Sequence, residues 1–213
     1  MKLYTQKDFA NWEQRYRANF FNSIGGFKSC NVIGTRSKKG NTNLGLFFSV
    51  VHVGSNPAMA GVLFRPHTVP RHTLENILET NFFTINAVQE SWVEEAHGTS
   101  AKFKTDVSEF DELELRESYH DGFYAPYVER SRVKYGLEYV EHYTVKANGT
   151  IFLVGKVIEA WIDTNAVTPN GFVNHEAVDT VAVNGLDTYY STKKEKRFEY
   201  ARPENLATEK EED

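Results

Sequence analysis

The sequence predicts a mainly β fold, an antiparallel barrel or sandwich with a few helical additions, and three observations carry that expectation. Asn148-Gly149 separates two β-rich runs, 135–145 and 151–162, and Asn-Gly readily supplies the positive φ angles of a tight hairpin turn. Stretches rich in Val, Ile and Phe recur around 28–35, 46–53 and 58–64, each bounded by Gly, Asn or Ser, as strands are. Helical patterns are too few for a doubly wound βαβ sheet. At 213 residues the chain can bury one full-sized core, so a single main domain is expected.

In chain order, Thr5-Gln6-Lys7-Asp8 has the spacing of a capping box, and Phe9, Trp12, Tyr16 and Phe20 follow at intervals near a helical turn. A helix over 6–18 is predicted, ended by Asn22-Ser23-Ile24-Gly25-Gly26. Between the first two strands, Ser37-Lys38-Lys39-Gly40-Asn41-Thr42-Asn43 is a polar turn whose amides and short side chains could face a ligand. Thr73 reads as a cap opening a short helix with Leu74, Ile77 and Leu78 on one face, followed by a strand over 82–88. Ser91-Trp92-Val93-Glu94 is a second capping-box pattern, opening a helix to about Ala96. The polar stretch 98–134 predicts loops and short helices. In the first long run Tyr135, Leu137, Tyr139, Glu141, Tyr143 and Val145 alternate onto one face. A further strand is expected over 178–183, and a disordered charged tail over 209–213. Asn148-Gly149-Thr150 is formally a glycosylation sequon, but in a chain without a secretory signal the turn explains it.

There are 24 Lys+Arg and 29 Asp+Glu, for a formal charge of -5. No run approaches the roughly 18 apolar residues a membrane helix needs, so no membrane role is expected. The N-terminus has no apolar stretch before its charges and Cys30 is the one cysteine, which together predict a cytoplasmic protein without disulfides. The charge is unevenly placed. Residues 14–74 contain no carboxylate but carry Arg15, Arg17, Lys28, Arg36, Lys38, Lys39, Arg65 and Arg71. A region of an acidic protein kept free of carboxylates is suited to hold an anion, because Asp or Glu would repel it and compete for its donors. A pI near 5.8 and the lack of a polybasic block disfavour nucleic acid and leave a small phosphate-bearing ligand.

No Walker sequence, Gly-x-Gly-x-x-Gly, Gly-x-Ser-x-Gly or His-Glu-x-x-His occurs, which removes the common motif-bearing hydrolases and zinc proteases. The seven histidines are scattered, no metal site is expected, and Cys30 in a strand reads as a small buried hydrophobe. A ligand that carries its own reactivity is what remains: the protein then needs only to hold and orient it.

Four stretches resemble the flavin reductase-like, FMN-binding split-barrel family, especially its flavoredoxin-type branch. They are NSIGGFKSCNVIGTRSKKGNTNLGLFFSV, GSNPAMAGVLFRPHTVPRHTLENILETNFFTINAV, TSAKFKTDVSEF and NGLDTYY, and their order and spacing agree over about 20–190. The resemblance implies an antiparallel split β-barrel with a few peripheral helices, an N-terminal helix over 1–19, the flavin-binding domain over 20–190 and a C-terminal extension over 191–213. It also implies FMN as cofactor, a reduced nicotinamide (NADH or NADPH) as hydride donor, an unknown electron acceptor and a homodimer with the flavin near the subunit interface. An FMN-binding electron carrier or sensor without efficient nicotinamide oxidation is the alternative, and a nucleic-acid-binding barrel a third.

By the same resemblance Asn43, Leu44, Gly45, Leu46, Phe47, Phe48 and Ser49 run along the flavin ring, where main-chain amides could serve its carbonyls and N5. Family members often show Asn-Leu-Ala-Pro-Phe-Ser here. This chain has Gly45, Leu46 and Phe48 where those have Ala, Pro and Ser, with Ser49 one place later, and barrel packing accounts equally well for Phe47 and Phe48. Arg65, Arg71, His72 and Thr73 look like the family's phosphate-binding segment. The residues agree independently: Arg-Pro-His-Thr-Val-Pro-Arg-His-Thr brings guanidinium forks, a hydroxyl and a helix N-terminus together, and two prolines restrict the loop. His97, Ser100, Lys102 and Phe103 fall where the family approaches the outer flavin edge, whereas Ser108-Glu109-Phe110 reads as structural. No catalytic side chain is expected.

Overall fold

The computed structural model describes residues 1–203 and 209; apart from Glu209, the expected C-terminal tail lies outside the described residues. The first helical stretch is two helices, α1 (Gln6–Asn11) and α2 (Gln14–Ser23), where one was expected. Trp12 is extended and the Glu13 carboxylate caps α2 by accepting from the N–H groups of Arg15 and Tyr16, both at 3.3 Å. The chain continues through β1 (Lys28–Ser29), β2 (Asn31–Arg36), β3 (Thr42–Phe47), β4 (Val50–Ser55) and β5 (Ala58–Phe64). The expected strand over 46–53 is therefore two strands broken at Phe48-Ser49. Then come α3 (His72–Thr80), β6 (Phe82–Ala87), a 3-10 turn (Glu90–Trp92), α4 (Val93–Gly98) and α5 (Glu109–Glu112).

Ser91 lies inside the 3-10 turn, and α4 starts after Trp92 with no side-chain cap, so the second capping box does not form. The 98–134 region holds α5 and a two-stranded sheet that the sequence did not predict, β7 (Glu117–Ser118) with β8 (Tyr127–Val128). A long hairpin follows, β9 (Val133–Thr144) and β10 (Ile151–Ile162). Its loop is longer than a two-residue turn: Val145 N–H reaches Thr150 O at 2.8 Å, and of Asn148-Gly149 only Gly149 has positive φ. The Asn148 Oδ1 instead accepts from Thr150 N–H at 3.0 Å. Last come β11 (Val181–Asn184), which begins later than expected because a 3-10 turn occupies Glu176–Val178, and β12 (Thr188–Ser191).

Seven strands form one antiparallel sheet in the order β3-β2-β6-β9-β10-β5-β4, and β1-β11-β12 form a smaller one. The edges of the large sheet, β3 and β4, are consecutive in the chain and joined by two residues, so the sheet must curl to bring the end of β3 to the start of β4. The result is a split antiparallel barrel with a few peripheral helices, left open between β3 and β4 along a seam that no ladder crosses.

Side chains alternate between two cores because strand residues point to opposite faces. Ile33, Val62, Phe83, Ile85, Leu137 and Leu153 fill the barrel together with Leu74 and Ile77 of α3. Val32, Leu44, Trp92, Phe110 and Val183 fill the layer outside β2 and β3, which explains why β2 is buried on both faces. Opposite Val154 and Gly155 the register shifts by one and leaves Val140 of β9 as a bulge residue. Gly155 is required there: a Cβ would lie 2.6 Å from the Phe83 ring. The bulge also breaks the expected alternation of the first run, and its outer residues Val140, Tyr143 and Val145 are exposed.

Candidate functional site at the barrel seam

The β3–β4 break opens a cleft of about 680 Å³. Its walls are Asn43 with residues 45–49, residues 63–65 of β5 and the following loop, residues 70–73 at the start of α3, and residues 99–102 after α4. Thus Asn43, Gly45, Leu46, Phe47, Phe48, Ser49, Arg65, Arg71, His72, Thr73, Ser100 and Lys102 converge on one cavity. Three expected residues, Leu44, His97 and Phe103, do not. The Leu44 side chain is fully buried in the outer core and its N–H is already donated to Glu109 Oε2 at 2.9 Å. His97 lies off the cleft, with Nδ1 2.7 Å from the Tyr189 hydroxyl.

One end of the cleft is anionophilic. Arg71 is the N-cap residue of α3, so the expected cap, Thr73, sits inside the first turn. The helix dipole leaves partial positive charge at this end. Arg71 Nε is buried with no hydrogen-bond partner, an orphaned cationic donor of the kind that bound ligands satisfy. Its backbone N–H donates to Glu75 Oε1 at 3.0 Å, and the same oxygen holds His67 Nε2 at 2.8 Å, so Glu75 fixes the loop without entering the cavity wall. Thr73 Oγ1 accepts from Asn43 Nδ2 at 3.0 Å, tying the helix start to β3. His72 Nε2 is 3.1 Å from Thr105 Oγ1.

The other end is flatter and more apolar, with Phe47, packed edge-on against Phe64 at 5.1 Å between ring centres, and Phe48. Gly45 keeps room between them: a Cβ would sit 3.1 Å from Thr73 Oγ1 and 3.2 Å from the Phe47 ring. The Ser49 hydroxyl donates to Leu63 O at 2.8 Å and so extends the β4–β5 pairing to the cleft wall.

Sequence reasoning missed Lys28 and Glu109 as cleft residues. Lys28 Nζ donates to Asn22 O at 2.9 Å and Gly185 O at 2.8 Å, and burial lowers its pKa. Its membership of the carboxylate-free segment was a usable signal. Of that segment's eight cations only Lys28, Arg65 and Arg71 reach the cleft; Arg36, for example, lies over the Tyr119 and Tyr124 rings instead. Burial pushes the Cys30 thiol up to about 12, which removes it as a nucleophile. Among the described residues no three His, Cys, Asp or Glu side chains cluster as a metal site requires.

Fold and cleft define a split-barrel protein with a cleft lined by cations and aromatic rings where its sheet fails to close. The chain belongs to the flavin reductase-like family, whose model, described as a flavin reductase like domain, matches residues 26–180. It is 45% identical to a split-barrel protein from Shewanella frigidimarina described as a candidate flavin reductase, with a TM-score of 0.91 over 94% of this chain and 100% of that one. Nitrilotriacetate monooxygenase component B from Bacillus cereus superposes with a TM-score of 0.81 at 15% identity, over 94% of this chain and 98% of that one. Flavoredoxin of Desulfovibrio vulgaris superposes with a TM-score of 0.68 at 19% identity, over 79% and 88%. These last two likenesses are of fold. No helix among the described residues is long and apolar enough to cross a membrane.

Proposed function

We propose that the protein is an FMN-binding oxidoreductase that passes reducing equivalents from NADH or NADPH to an acceptor. The observation that carries this is the buried, unpartnered Arg71 Nε on the wall of a cleft of about 680 Å³, a size within the usual range for cofactor sites. A phosphate monoester matches that end: Arg71 and Arg65 offer charge-assisted donors, His72 and Thr73 add polar hydrogen-bonding groups, and the α3 N-terminus adds its dipole. The aromatic end, with residues 45–49 on one side and Ser100 and Lys102 on the other, suits a flat ring, and backbone amides there can serve its polar edge. Phe47, Phe48 and Leu63 keep water from the ring face.

When bound, FMN supplies the two-electron chemistry that these side chains lack. The chain binds, orients and shields. No side chain is assigned as an obligatory acid or base, and the cytoplasm is the proposed location. A second copy of the chain is the proposed assembly partner, supported by exposed Val51 and Val53 on the edge strand β4 and Val140 and Ile158 on β9 and β10.

The purified protein, or apoprotein titrated with FMN, is expected to show the two visible flavin bands, and anaerobic NADH or NADPH should bleach them at micromolar protein. A protein that refuses FMN sinks the assignment. Retained colour without bleaching reduces it to an electron carrier or sensor.

A further inference from the structure

Among the described residues lining the cleft, Glu109 is the one carboxylate, set among Lys28, Arg65, Arg71, His72 and Lys102. It is 5% exposed. Oε2 accepts from Leu44 N–H at 2.9 Å, and no Lys or Arg forms an ion pair with it among the described residues. Its position is fixed from both sides: Ser108 Oγ is 2.8 Å from Thr42 Oγ1, which also bonds Glu117 Oε1 of β7. The start of α5 is thereby pinned to β3.

The charged neighbours come from several elements, with Lys28 of β1 and Arg65 after β5 on the same cleft. His72 of α3 acts on Glu109 through its field, Arg71 and Lys102 stand on the other cleft walls, Glu117 is connected through Thr42, and Asp111 and Glu112 on α5 itself include an exposed pair facing solvent. Burial already raises the Glu109 pKa, with the backbone N–H groups of Leu44 and of Glu109 itself and the His72 field only partly opposing it. A phosphate entering the corner of Arg71, His72 and Thr73 adds negative charge beside this carboxyl. Two like charges sharing a desolvated site push one of them to protonate. The phosphate has guanidinium and helix-end partners, while Glu109 has only neutral backbone N–H groups, those of Leu44 and of Glu109 itself, so the proton goes to Glu109.

We propose that Glu109 determines which ligands the cleft accepts: as a phosphate monoester enters, its carboxyl takes one proton from solvent and changes from a repelling anion into a hydrogen-bond donor on the cleft wall. No electron moves in this step, and the proton comes from water or buffer. The inference rests on the FMN reading and goes beyond it, by making binding of the phosphorylated flavin a proton-coupled event.

The test is calorimetric titration of apoprotein with FMN in buffers of different ionisation heat. Wild type should take up about one proton per FMN above the pH at which free Glu109 ionises, with affinity falling about tenfold per pH unit. Riboflavin, which lacks the phosphate, should bind with no such uptake. Glu109→Gln should abolish the uptake and flatten the pH profile, while His72→Gln should retain it, which separates the carboxyl from the imidazole. Should Glu109→Gln fail to fold, the infrared difference spectrum of wild type with and without FMN decides: a new protonated-carboxyl band supports the proposal and its absence overturns it. FMN binding without proton uptake, or with equal uptake in Glu109→Gln, overturns the role of Glu109 and leaves the flavin assignment standing. No FMN binding at all overturns both.

Discussion

The two ends of the cleft are built in opposite ways. At the anionophilic end, nine consecutive residues from Arg65 to Thr73 supply two guanidiniums, an imidazole, a hydroxyl and a helix start. At the apolar end the wall comes from residues 45–49, 63–64 and 99–102, with Lys28 and Leu186 brought from further away. A charged group needs partners of defined type at short range, so one loop can carry them all. A flat apolar surface needs only shape, which remote segments can share. The anionophilic end should therefore fail sharply when one loop is changed, and the apolar end only gradually.

The largest effect is expected from Arg71→Ala with His72→Ala. Losing charge-assisted donors worth together roughly 3 kcal/mol should weaken FMN binding about 100-fold, with riboflavin affinity and the far-ultraviolet circular dichroism little changed. An equal loss for riboflavin would erase the distinction between the two ends. Gly45→Ala comes next. Its Cβ would press Thr73 Oγ1 at 3.1 Å and the Phe47 ring at 3.2 Å, so about 1 kcal/mol of crowding should cost FMN and riboflavin alike about fivefold in titrations.

Lys102→Ala, at an exposed position on the outer wall, should weaken FMN by only about twofold, as solvent-screened charges do; a 100-fold loss would show that the outer wall holds the phosphate. The smallest effect concerns the loop's own anchor. The Glu75 carboxyl is pushed up by burial, but the Arg71 N–H and His67 outweigh this and leave its pKa below 4.5. A depressed folded pKa contributes stability that is present above 4.5 and lost as pH falls through the folded value. The pair is 41% exposed on each side, so Glu75→Gln should lower the apoprotein melting temperature by about 1 °C at pH 7, and the difference should vanish in strong acid.

The same contrast explains how much was legible. The Arg65 to Thr73 loop could be read because its chemistry is contiguous. Glu109 looked structural because its nearest partner, Leu44, is 65 residues away, and Lys28 could be suspected from charge patterning but not placed. His97 falls in the right stretch of chain, yet the ring is taken by Tyr189 across a sheet the sequence did not predict. Ser91 had the capping-box spacing, but Gln89 opens a 3-10 turn first, and local spacing cannot report that competition.

By itself the sequence determined what acts over a few residues: the mainly antiparallel β character, the long hairpin around Asn148-Gly149, the helix after Arg71 and the cationic loop before it. Tertiary structure alone decided the strand order, the bulge in β9, the close approach of Phe83 to Gly155, and the unpaired seam between β3 and β4. Turns and caps follow from φ preferences and hydrogen bonds that each residue carries wherever it goes. A cavity exists only once distant strands have been forced by shared burial to curl around a common core.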